Sequence, residues 1–103
     1  MNDLPQGTVF QRRVWSELLK IPHGQTRSYN EIANAIGSPN STRAVANACS
    51  KNPIPKQIPC HRAIRSDGSI GGYSGPGGIS EKIRLIEKEK EILEERYETG
   101  ERR

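Results

Sequence analysis

The chain has 103 residues, enough for one domain with a modest core, and its hydrophobic share of 32% is low enough that part of it must be exposed tail or binding surface. A net charge of +4 favours an anionic partner, nucleic acid first. Two cysteines and two histidines are too few and too scattered for a disulfide framework or a tetrahedral zinc site. No apolar run approaches the ~18 residues of a membrane span, and Met1-Asn2-Asp3 does not open a signal peptide. The expectation is a protein of the cytoplasm, or of the nucleus in a eukaryote, with reduced thiols.

Residues 1–6 read as a loose polar lead-in. Thr8 is placed to cap a first helix in which Val9, Phe10, Val14, Leu18 and Leu19 recur near helical spacing, with Trp15 as a core residue. Ile21-Pro22-His23-Gly24 ends it. Thr26 to Tyr29 suits extended chain, and Asn30 is the expected cap of a short helix over 31–36 closed by Gly37. After the turn Ser38-Pro39-Asn40, Asn40 or Ser41 opens a second helix through about Ser50. Two short helices about a tight turn fit helix-turn-helix spacing. The second is slim, built on Ala44, Val45, Ala46, Ala48 and Cys49, and carries Arg43 in its first turn. A cation there opposes the helix dipole, which argues for a partner outside the helix.

Lys51 to Gln57 is held extended by two prolines and leads into Ile58-Pro59-Cys60-His61-Arg62. Here a nucleophile adjoins a proton acceptor, and cationic neighbours favour the attacking thiolate. Ser66-Asp67-Gly68 between short apolar runs predicts a hairpin. The Gly-rich stretch 71–78 could approach a ligand closely, but it lacks the Gly-Lys-Ser/Thr of a phosphate loop. The last helix is predicted from Ile79 to about Arg96. Ile79, Ile83, Ile86 and Leu93 form its apolar stripe, with Leu85 and Ile92 beside them, and Lys82 and Glu89 fall inside that arc. A carboxylate buried there needs a partner, and His61 is the candidate.

In these pieces the chain resembles the active-site domain of the O6-alkylguanine-DNA alkyltransferases, over about Gly7 to Glu89. The resemblance rests on Pro59-Cys60-His61-Arg62, on Arg43-Ala44-Val45, Tyr29 and Asn52-Pro53 upstream of it, and on Lys82, Leu85, Ile86 and Glu89 in the last helix. It implies a mainly α, winged helix-turn-helix-like single domain over 7–96, with a short hairpin, a long C-terminal helix and a charged tail over 97–103. It implies Cys60, His61, Glu89 and Asn52 as catalytic residues, and Tyr29, Pro55, Ala63, Ser74 and Lys82 around the substrate. Arg43, Tyr29, Thr42, Ala44, Asn47 and Ala48 would face DNA. The implied activity is single-turnover repair: the alkyl group of O6-alkylguanine, or of O4-alkylthymine, passes to Cys60 after base flipping through the minor groove, by a monomer and without a cofactor or metal.

Three features depart from that pattern. The family's usual N-terminal domain does not precede the first helix, position 63 is Ala instead of Val, and the loop after Tyr73 is longer through Pro76 and Gly77. The short alkyltransferase-like proteins share the first departure. They bind alkylated guanine for another repair pathway without removing the lesion, but they usually replace the cysteine that this chain keeps. A non-enzymatic lesion reader with a repair-protein partner is therefore the alternative. A helix-turn-helix regulator is a third, for which no dimerisation segment beyond the last helix stands out.

Overall fold

A computed structural model describes residues 4–73 and 75–101, with side chains through Ile92. The order is α1 (Val9–Leu18), β1 (Arg27–Ser28), α2 (Tyr29–Ala35), α3 (Thr42–Ser50), a 3₁₀ turn (Cys60–Arg62), β2 (Ala63–Ile64) and α4 (Gly78–Glu101). The mainly α class is as expected. Among the described residues no helix is long and apolar enough to cross a membrane.

Thr8 caps α1 in a reciprocal box: its hydroxyl accepts from the Gln11 amide and the Gln11 side chain accepts from the Thr8 amide, both at 3.0 Å. Val14, Trp15 and Leu18 turn inward, while Val9 and Leu19, expected on the same stripe, stay in solvent. Trp15 fixes α1 to α3, its buried Nε1 donating to the Ala48 carbonyl at 2.9 Å. Val45, Ala48 and Cys49 form the inner face of α3, against α1 and α2.

The cap of α2 is Ser28, not Asn30. Ser28 and Glu31 make a second reciprocal box at 3.0 and 2.8 Å, satisfying two helix-end amides where Asn30 would satisfy one. The helix therefore starts at Tyr29 and carries that ring into the core. Ser41 begins α3, but its side chain makes no capping bond.

The predicted hairpin is reduced to its turn. Gly68 N donates to Arg65 O and Arg65 N to Ser69 O, each at 2.9 Å, yet β2 takes its strand partner from elsewhere. It pairs in parallel with β1, Arg27 opposite Ala63 and Ser28 opposite Ile64. The extended Thr26-Arg27-Ser28 stretch offers that edge, and this joins the start of α2 to the segment carrying Cys60. On α4 the inward residues are Lys82 and Ile86; Ile79 and Ile83, expected beside them, are exposed. Leu93 lies outside the described side chains.

Candidate active site and DNA-binding face

Pro59 leads into the 3₁₀ turn, which buries Cys60 and His61 under α4. His61 Nε2 lies 2.6 Å from Glu89 Oε2, the partner the helical arc demanded. Arg62 grips the same carboxylate with both arms, Nε to Oε1 at 2.9 Å and one terminal nitrogen to Oε2 at 3.0 Å. Its other terminal nitrogen donates to Ile21 O at 2.9 Å, so the end of α1 is tied in as well. Burial alone would raise the Glu89 carboxyl, but the bonds from Arg62 and His61 outweigh it and hold the group at about 2. Burial lowers the His61 imidazole below its ordinary value, with Glu89 pulling the other way. The His61 Nδ1 is buried with no hydrogen-bond partner among the described residues.

Asn52 clasps the loop before the nucleophile. Its amide donates to Ile58 O at 2.8 Å and its carbonyl accepts from Ile54 N at 3.0 Å, while Cys60 N donates to the same Ile58 O at 2.7 Å. On the opposite side, Lys82 is fully buried. Its ammonium donates to Gly72 O at 3.0 Å and reaches the Tyr29 hydroxyl at 3.4 Å, 5.7 Å over that ring. Burial pulls Lys82 down to about 8 and pushes Tyr29 up to about 12. The ring is thus kept as a neutral hydroxyl with one lone pair toward Lys82 and its proton free to point elsewhere. A side chain at Gly71 would meet the Tyr29 hydroxyl at 2.8 Å, which explains the glycine at this approach.

An open cleft of about 840 Å³ runs over the site, its walls including Pro55, Pro59, His61, Tyr73, Pro76 and Glu89. Ala63 is fully buried, backbone included, at the start of β2 and is not among the residues that line the cleft. Ser74 lies outside the described residues. Cys60, between two lining residues, is 3% exposed.

The α3 face is separate in surface but joined through the core. Arg43, Ala44 and Asn47 are exposed along it and Thr42 is half-buried, its hydroxyl 3.4 Å from Asn30 Oδ1. Ala48, expected on this face, is 2% exposed and points at Trp15; helical spacing turns it inward with Val45. That removes Ala48 from the contact set.

The family described as the DNA-binding domain of 6-O-methylguanine DNA methyltransferase matches residues 9–91. The chain belongs to this family. It is 52% identical over 84 residues to the methylated-DNA–protein-cysteine methyltransferase of Mycobacterium leprae, covering 82% of this chain and 50% of that one. It is 49% identical over 86 residues to the bifunctional transcriptional activator/DNA repair enzyme Ada of Escherichia coli, of which it covers 24%. The chain also superposes on Mycobacterium tuberculosis OGT in complex with DNA, with a TM-score of 0.79, 52% identity and coverage of 84% of this chain and 52% of that one. Against S. pombe Atl1, in complex with damaged DNA containing O6-carboxymethylguanine, the TM-score is 0.69 at 30% identity, and 79% of that chain is covered. The chain thus spans about half the length of the first of these curated methyltransferases and most of the length of Atl1.

Sequence reasoning missed four residues of this candidate site. Arg62 was read only as nearby charge, and its grip on Glu89 depends on α4 folding back over the 3₁₀ turn. The sequence places Tyr73 within the Gly-rich loop over 71–78, and the structure makes it a wall of the cleft. The sequence places His23 only in the turn that ends the first helix, yet its Nε2 lies 3.8 Å from Glu89 Oε2. Cys49 is buried beside the Tyr29 and Lys82 pair, its thiol pushed up to about 12 by burial first and then by the nearby Cys60. Cys49 had only a weak signal, its place on the slim face of α3.

Proposed function

We propose that this chain repairs DNA by direct reversal, moving the alkyl group of O6-alkylguanine, or of O4-alkylthymine, from duplex DNA to Cys60 in one irreversible turnover. The observation that carries this reading is the 2.6 Å contact between His61 Nε2 and Glu89 Oε2, made by the residue that follows Cys60 in the chain. The target oxygen is inside the duplex, so the base must leave the stack at a cost of a few kcal/mol. Arg43 on the exposed face of α3 would occupy the vacated space from the minor groove, and Tyr29 would bear on the target phosphate.

The thiol proton then passes through a water to His61 Nδ1, and the resulting imidazolium is held by Glu89. The thiolate forms its bond to the alkyl carbon as the carbon–oxygen bond breaks, and guanine leaves with the electron pair and takes up a proton. The Tyr29 hydroxyl, facing Lys82 with a lone pair, is suited to donate to the base as that charge develops. Asn52 holds the loop that presents Cys60. Pro55 and Tyr73 wall the cleft around the alkyl group. The thioether has no route back, so each molecule acts once.

The test is the mass of the protein after incubation with duplex DNA containing O6-methylguanine. One added methyl on Cys60, absent in Cys60→Ser, is the expected result. A second reading, a lesion-binding protein that leaves the base intact, is favoured by the fold shared with Atl1, whose structure is in complex with damaged DNA containing O6-carboxymethylguanine. Unchanged mass with tight, lesion-dependent binding would decide for it.

A further inference from the structure

The proposed relay leaves one charged neighbour of Glu89 without a role. His23 sits in the turn after α1, and that turn is built against the carboxylate. Gly24, at φ +89°, brings its amide to 3.5 Å from Glu89 Oε1, Gln25 N closes onto Pro22 O at 3.1 Å, and Ile21 O is held by Arg62. The His23 ring is thereby aimed at Glu89 Oε2, the oxygen that already accepts from His61 and Arg62. The two histidines differ in one respect that matters. The His61 side chain is 8% exposed and that of Glu89 12%, whereas His23 is 44% exposed.

We infer that His23 is a positioning residue for the alkyl-transfer relay: a solvent-facing second imidazole that shares Glu89 Oε2 with His61 and sets how firmly the carboxylate supports the His61 imidazolium. The inference rests on the transfer reading above. When His23 is neutral, a separation of 3.8 Å is beyond hydrogen-bond range and Oε2 serves His61 and Arg62 alone. When His23 is protonated, the same separation is an ion pair. The added cation draws on the carboxylate and makes a second charge on His61 less favourable. The groups facing Glu89 are His61 and Arg62 from the 3₁₀ turn and His23 with the Gly24 amide from the turn after α1; Lys82, further along α4, also acts on His61. Of these His23 is the one most open to solvent.

With two histidines in the chain, each ring can be followed separately by NMR. His23→Gln should move the His61 titration upward, since a cationic neighbour is lost, and His23→Lys should move it downward. With free O6-benzylguanine as substrate, the loss of rate between about pH 8 and about pH 6 should follow His61, larger than wild type in His23→Gln and smaller in His23→Lys. The exposed position makes all three proteins comparable in thermal melts, which checks folding. An unchanged His61 titration in both variants overturns the inference, even if wild type transfers alkyl groups. Equal loss of rate at both pH values with unchanged titration also overturns it, leaving a structural role. If the titration shifts as expected while wild type never gains an alkyl group, the coupling stands and the transfer reading fails.

Discussion

Glu89 takes bonds from His61 and Arg62 and faces the turn holding His23, so its charge is the first property to remove. Glu89→Gln keeps the shape and loses the anion. Reaction with free O6-benzylguanine should slow by about tenfold to hundredfold, while binding of lesion-containing DNA by the folded protein persists. The same substitution should change acid stability. The folded carboxyl sits at about 2 against an ordinary 4.5, so the anion stabilises the fold above the ordinary value, and that contribution is lost as pH falls from about 4.5 toward about 2. Circular dichroism across that window should show a steeper acid loss in wild type than in Glu89→Gln. Lys82 behaves in the opposite sense. Burial holds its folded value at about 8, below an ordinary 10.5, so the fold binds the proton less well than the unfolded chain, and stability should rise with pH across that interval. Lys82→Met should flatten the rise and raise the melting temperature at pH near 7, at the expense of alkyl transfer. Both residues were legible in the sequence because ionisable groups in an apolar helical arc break the pattern. Arg62 was not, because its partner is 27 positions away and only the packed helix brings the two together.

At the scale of elements, α3 divides cleanly: Val45, Ala48 and Cys49 inward, Arg43, Ala44 and Asn47 outward. Arg43→Ala should therefore slow transfer from duplex DNA by about tenfold or more while leaving reaction with free O6-benzylguanine near wild type, because a side chain on this outer face does not touch the buried thiol. Equal losses with both substrates, in single-turnover kinetics, would make Arg43 a folding residue. The helices were legible from caps and periodicity, apart from α2, where two potential capping residues compete within three positions and the reciprocal Ser28–Glu31 pair wins. The hairpin was misjudged for a different reason. An Asp-Gly turn reports local backbone geometry, and the pairing of β2 with β1 is decided by a distant segment that no local signal names.

For the molecule as a whole, a net charge of +4 and an exposed α3 face predict that phosphate contacts should carry much of the DNA affinity proposed above. Binding to undamaged duplex should weaken by roughly tenfold to hundredfold between about 50 and 200 mM salt, with little sequence preference, in fluorescence anisotropy. The β1–β2 ladder also bears on the order of folding. It is two residues long, yet it joins Arg27 to Ala63 and Ser28 to Ile64, so it must close a long loop before it gains a single bond. The contacts of α2 with α1 and with α3 are shorter in sequence and should form sooner. The nucleophile's segment should then be the last to latch and the first to open. At urea concentrations below the main transition, a thiol reagent should label Cys60 while far-UV circular dichroism is still native, with Cys49 in α3 reacting later. Simultaneous labelling of both cysteines with the loss of helix would mean that the ladder and the helices open as one unit.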